Sequence, residues 1–175
     1  MLFVATPSRS ELAPYCALQG EIVSQVEAIN RRFQTPGWTP VVLVTKNADA
    51  TELAATYRAA DLCLVSSLQD GMNLVAKEFI ACQADEQGVL VLSRFTGAAE
   101  EIDGAILVNP FNIDGFAAGI RRALEMPLEE RQRRMHEMRE ALRHATIFDW
   151  LQSIADRVQA LIAAGPDCVT PSPST

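Results

Sequence analysis

The run Asp70-Gly71-Met72-Asn73-Leu74-Val75-Ala76-Lys77-Glu78 holds the residue types in this chain best spaced to do chemistry. An apolar stretch over residues 61–65 precedes it and reads as a buried strand. Leu74, Val75, Phe79 and Ile80 then follow with helical spacing. Strand, tight polar turn and helix together make an anion site in α/β proteins. A turn glycine lets the backbone approach a ligand, and the free N–H groups of the helix start meet it with the positive end of the dipole. Asp70 and Glu78 place a carboxylate at each end of the element. Such a cradle suits a phosphorylated sugar or a nucleotide sugar, whose hydroxyls need acceptors. The plainer alternative is an ordinary strand–helix loop with Asp70 as helix cap, because one glycine turn is a weak motif.

Several further segments narrow that choice. They are Gly37-Trp38-Thr39-Pro40, Tyr57-Arg58-Ala59-Ala60-Asp61, Gly88-Val89-Leu90-Val91-Leu92-Ser93, Gly97-Ala98-Ala99-Glu100-Glu101, Val108-Asn109-Pro110 and Met126-Pro127-Leu128-Glu129-Glu130-Arg131. With the 70–78 run they closely resemble trehalose-6-phosphate synthases, retaining glycosyltransferases built from two Rossmann-type domains (the GT-B fold). The resemblance extends over residues 4–161 and corresponds to the C-terminal part of that longer family.

The resemblance implies glucosyl transfer from UDP-glucose, or another nucleotide glucose, to glucose 6-phosphate with retention of configuration and no metal or other cofactor. Asp70 matches the aspartate that contacts the transferred glucose, so it is the catalytic candidate. Gly71, Met72, Asn73, Leu74, Val75, Ala76, Lys77 and Glu78 match the donor-binding segment, with Glu78 on the ribose hydroxyls. A carboxylate can accept from two vicinal hydroxyls at once. The alternative for Glu78 is an ion pair with Lys77 or another base on the helix surface. Arg9 matches an arginine of the acceptor phosphate site, where a guanidinium fork suits a dianion. On its own, a loop arginine is more often a solvated charge.

Two positions depart from the family pattern. Ala48 stands near the expected base site where an aromatic is common, and Gln69 replaces the arginine before Asp70. The acceptor-binding domain, and an Arg and a Lys that neutralise the donor diphosphate, belong to family segments that this sequence does not match. The expectation is a nucleotide-sugar-binding part, inactive alone. The competing expectation is a non-catalytic nucleotide-sugar-binding or interaction module that completes a partner subunit.

The elements that must position these residues alternate. Strands are expected at residues 2–5, 40–44, 61–65, 88–92 and 105–108. Helices are expected at 15–33, 53–60 with Thr51 as cap, 73–83, 98–101 and 115–126 after Asp114. Short connections between them imply a doubly wound parallel α/β sheet, Rossmann-like, with ligands at the carboxyl ends of the strands. The turns at residues 6–9, 45–49, 66–73 and 93–97 are expected to meet there. The second strand looks apolar enough to be covered on both faces. The expected domain spans residues 1–126 and lacks the central first strand of the order 3-2-1-4-5-6. Open edges left by that gap invite a partner strand or self-association. Residues 127–164 read as helices only, with Arg131, Arg133, Arg134, Arg139 and Arg143 as a solvated face. Residues 165–175 read as a disordered tail.

Composition sets the remaining bounds. The 175 residues are 49% hydrophobic, which fits a globular α/β chain with a single core. A formal net charge of −7 argues against a nucleic-acid footprint, which needs clustered Lys and Arg. No apolar run approaches the ~20 residues of a membrane-spanning helix, and no signal-peptide pattern opens the chain. A cytoplasmic location is therefore expected. Cys16, Cys63, Cys82 and Cys168 lack CxxC spacing and read as small buried hydrophobes. His136 and His144 read as surface or helix-interface residues rather than metal ligands.

Overall fold

The structure, a computed structural model, describes residues 1–6, 12–144 and 147–164. The backbone forms two compact units, Met1–Glu52 and Leu53–Thr175.

In the first unit, β1 (Leu2–Val4) and β2 (Val42–Val44) pair in parallel, with Leu2 opposite Val42 and Val4 opposite Val44. The connection is α1 (Ala13–Phe33), whose first turn carries a proline with φ already set for a helix and whose last turn carries Arg31 and Arg32, which complement the helix dipole. The Asn30 side chain ties α1 to the sheet, donating to the Val41 carbonyl at 2.9 Å and accepting from its amide at 3.0 Å. Val26 and Val41 are buried, whereas Leu18, Ile29 and Val42 stay exposed. The expected two-sided covering of the second strand therefore does not occur within this unit. Two short strands and one helix can bury only one face.

The second unit holds β3 (Leu62–Val65), α3 (Leu74–Cys82), β4 (Val89–Ser93), α4 (Ala98–Glu101), β5 (Ile106–Val108), α5 (Ile113–Leu124), α6 (Leu128–His144) and α7 (Ile147–Ala164). α2 (Ala50–Ala59) leads into it. Its strands form a parallel sheet in the order β3-β4-β5, with Cys63 opposite Leu90 and Val91 opposite Ile106. The neighbour pairs within each sheet are pairs that the expected order contains.

β4 is buried along its whole length, and its alternation divides the core. Leu90 and Leu92 pack with Phe79, Ile80, Met135 and Met138 of α3 and α6. Val89 and Val91 face the other way, with Ala123 of α5. Helices thus cover both faces of a parallel sheet, the arrangement its continuous apolar strands require. Each fully buried Leu or Phe contributes roughly 1.5–3 kcal/mol.

Local chemistry moves two expected helix starts. α2 is capped by Asp49 rather than Thr51: Oδ1 accepts from the Thr51 and Glu52 amides at 2.8 and 2.9 Å. Glu52 reaches back to the Asp49 amide at 3.3 Å, completing a capping box. α5 begins at Ile113 because Asn112, not Asp114, accepts from the Gly115 amide at 2.9 Å.

The arginines of α6 correct the expectation of a solvated face. Arg131 donates to the carbonyls of Met126 and Leu124, both at 2.9 Å. Arg134 reaches Glu130 and the Gly104 carbonyl, and Arg139 caps the end of α3 through the carbonyls of Ile80, Ala81 and Gln83. Only Arg133 and Arg143 among the five are mostly solvated. Forked donors on a helix with Met135 and Met138 inward satisfy carbonyls that helix ends leave open.

His136 is exposed and meets Glu86 at 3.1 Å. Cys63 and Cys82 are partly buried, and burial pushes the Cys63 thiol up to about 12. Cys16 is exposed, contrary to the expectation for it. Cys168, with the expected tail at 165–175, lies outside the described residues.

Candidate functional site

The 66–73 loop leaves the carboxyl end of β3 and is stitched to the loop that leaves β4. The Asp70 amide donates to the Phe95 carbonyl at 3.1 Å, and the Gly97 amide to the Asp70 carbonyl at 2.9 Å. The Ala98 amide reaches the Met72 carbonyl at 2.8 Å. Only glycine fits at 97, because a Cβ there would stand 2.3 Å from the Gly71 carbonyl oxygen. Thr96, buried, braces the same loop by donating to the Ser93 carbonyl at 2.9 Å.

Within the turn, Asp70 Oδ1 accepts from the Met72 amide at 3.1 Å and Oδ2 from the Asn73 side chain at 3.0 Å. Asn73 adopts a left-handed backbone, φ 74°, tolerated by Asn better than by most residues. Its side chain accepts from the Ala76 amide at 2.9 Å. The cap of α3 therefore falls to Asn73, and Asp70 shapes the turn ahead of it. Among the described residues, no acceptor meets the amides of Leu74 and Val75. These are the two open donors of a helix start, at the positive end of its dipole.

The Met72 amide first, and the Asn73 side chain second, hold the Asp70 carboxyl below its ordinary range. A carboxylate with a depressed folded pKa adds stability above its unfolded value, near 3.9. That stability is lost as pH falls through the lower folded value. Asp70→Asn is accordingly expected to flatten the acid limb of stability. The urea midpoint of the wild type should drop more between pH 5 and pH 2 than that of the variant. Asp70 is partly exposed, so the difference is small.

Glu78 lies one turn further along α3 and is exposed. Lys77 does not pair with it but with Glu101, at 2.5 Å. Glu78 instead accepts from the Tyr57 hydroxyl at 3.2 Å. Of the turns expected to meet, those after β3 and β4 do so within this unit. Ala48 sits exposed in the loop before α2, in the first unit. Arg9 lies outside the described residues.

Sequence reasoning passed over Tyr57, Gly97 and Gln83 as site-building residues. Gly97 stood in a quoted motif, but its need arises only from the Gly71 carbonyl facing it. Gln83, fully buried, donates to the Tyr57 carbonyl at 2.5 Å and accepts from the Gly88 amide at 3.0 Å. No pattern in the sequence marks that role. A separate cleft of about 590 Å³, lined by Asp114, Arg121, Arg122, Glu125 and Glu130, mixes both charges away from this turn.

A parallel sheet with helices on both faces, and a strand–turn–helix corner offering open amides beside carboxylates, defines a Rossmann-type α/β unit with an anion-receptive corner. The chain belongs to Glycosyltransferase family 20, whose family model matches residues 1–160. It is 41% identical over 160 residues to a trehalose-6-phosphate synthase of Sinorhizobium fredii, covering 91% of this chain and 34% of that protein. An α,α-trehalose-phosphate synthase (UDP-forming) from Burkholderia xenovorans, solved with glucose-6-phosphate, superimposes with a TM-score of 0.85 at 43% identity. That match covers 90% of this chain and 35% of that one. An E. coli structure bound with UDP-2-fluoro glucose matches with a TM-score of 0.85 at 36% identity, over 91% of this chain and 36% of that one. The chain spans about a third of the length of the curated relatives it matches.

Proposed function

We propose that this chain is the donor-binding part of a trehalose-6-phosphate synthase, transferring glucose from UDP-glucose to glucose 6-phosphate once a polypeptide supplying the acceptor side is present. One observation carries the reading: the stitched 70–73 turn leaves the Leu74 and Val75 amides open beside Asp70 and Glu78. In this reading the two amides and the helix dipole hold the diphosphate and stabilise the charge that develops as it leaves. The Asp70 carboxylate keeps acceptor capacity for a glucose hydroxyl, and Glu78 takes the ribose diol. The transfer is written without a metal, since the amides supply the stabilisation. By the resemblance alone, Ala48 is assigned to the base and Arg9 to the acceptor phosphate.

Glu78→Gln tests the donor assignment. The change keeps size and loses charged acceptance. It is expected to weaken UDP binding roughly three- to tenfold, the difference between a charge-assisted and a neutral hydrogen bond. The melting temperature should hold, because Glu78 is exposed. Equal losses of binding and of stability would make Glu78 a structural residue instead.

The second reading, a non-catalytic module that completes a partner, draws on α7. Trp150, Leu151, Ile154, Val158 and Leu161 all stay exposed along that helix. An apolar stripe of this length is a surface for association. Both readings share the nucleotide site and differ in whether glucose is transferred.

A further inference from the structure

The way Glu78 is held distinguishes it from a free surface carboxylate. It is exposed on α3, where an unrestrained glutamate samples many rotamers and loses up to about 2 kcal/mol of side-chain entropy when a ligand fixes it. The basic neighbour that could pull it aside, Lys77, is engaged by Glu101. The Tyr57 hydroxyl meets Oε2 alone, while Oε1 has no hydrogen-bond partner among the described residues.

Tyr57 is itself fixed at both ends. Its carbonyl accepts from the buried Gln83 side chain at 2.5 Å. Its ring stands edge-on to buried Phe79, centroids 6.3 Å apart at 78°. A phenol anchored in this way delivers its proton to a defined point above α3.

We propose that Tyr57 is the positioning residue for Glu78. Its hydroxyl holds Oε2, so that Oε1 is presented to the ribose 2′-hydroxyl of the bound nucleotide. The inference rests on the donor-site reading above and adds a residue to it. Partial burial, and then the Glu78 carboxylate, raise the Tyr57 phenol above its ordinary range, so it remains a donor through neutral and mildly alkaline pH.

Tyr57→Phe removes the hydroxyl and keeps the ring against Phe79. The test titrates the full chain with UDP and with 2′-deoxy-UDP, followed by amide NMR shifts, for wild type, Tyr57→Phe, Glu78→Gln and the double variant. Wild type should prefer UDP. Tyr57→Phe should lose roughly three- to tenfold in UDP affinity and little for the deoxy ligand, with an unchanged melting temperature. The double variant should match Glu78→Gln alone, since the hydroxyl acts through that carboxylate. Full ribose discrimination in Tyr57→Phe, additive losses in the double variant, or unfolding of Tyr57→Phe would each overturn the positioning role while leaving the donor site standing. Absence of any UDP response in wild type would overturn the donor-site reading, and this inference with it.

Discussion

Gln83→Leu is expected to destabilise the second unit by about 2–5 kcal/mol, although the two side chains are similar in size. Gln83 is buried at the end of α3 and joins three segments. Its amide nitrogen serves the Tyr57 carbonyl at 2.5 Å and the Ala60 carbonyl at 3.4 Å, and its oxygen takes the Gly88 amide at 3.0 Å. Leucine would leave the buried Gly88 N–H with no acceptor, which alone costs about 1–3 kcal/mol. The Tyr57 carbonyl would keep only the long contact from the Ala60 amide at 3.4 Å. Since whole domains are stable by roughly 5–15 kcal/mol, this loss is a large share. Urea unfolding should show a lower midpoint with an unchanged slope. A midpoint within error of wild type would mean that water or a shifted backbone serves these groups equally well.

The second large effect is on turnover. The 175-residue polypeptide assayed alone is expected to release no UDP from UDP-glucose and glucose 6-phosphate. Transfer requires both sugars held in one cleft, and that positioning can lower the barrier by several kcal/mol. In the proposed reading the described residues supply donor-side groups: open amides, Asp70 and a held Glu78. UDP itself should bind, but weakly. Gln69 offers no charge where the resemblance implies an arginine, and two further cations of the family's diphosphate site match no segment of this sequence. Each missing charged hydrogen bond costs roughly 1.5–3 kcal/mol, enough for two to move a micromolar ligand towards millimolar. A coupled assay for UDP release, with and without the remaining family segments added in trans, checks turnover, and calorimetry checks affinity. Clear turnover by the polypeptide alone, or low-micromolar UDP binding, would contradict these expectations.

The amino-acid sequence by itself determined the elements and their class. Short apolar runs at residues 62–65, 89–92 and 106–108, too short for helices and bounded by polar and turn residues, read as buried strands, and helical periodicity between them leaves a parallel sheet as the economical topology. The 70–78 run placed the candidate site because its spacing, turn chemistry and carboxylates are local properties. Helix starts were less legible. Asp49 and Thr51 are both good caps, as are Asn112 and Asp114, and sub-ångström backbone geometry chooses between them.

Tertiary structure decided what each polar side chain does at a distance. Arg131, Arg134 and Arg139 look like a solvated row because a charge pattern shows only which face of a helix they occupy. They became clamps because carbonyls of Met126, Gly104 and Gln83 fold against that face. Glu78 paired with Tyr57 rather than Lys77 because the end of α2 packs beside α3, twenty-one residues away in the chain. Gly97 became obligatory only once the Gly71 carbonyl was brought to face it. Local sequence sets propensities over a few residues, whereas all of these partners except Met126 lie 21 to 56 positions apart. Only close packing selects one partner from many for each of them.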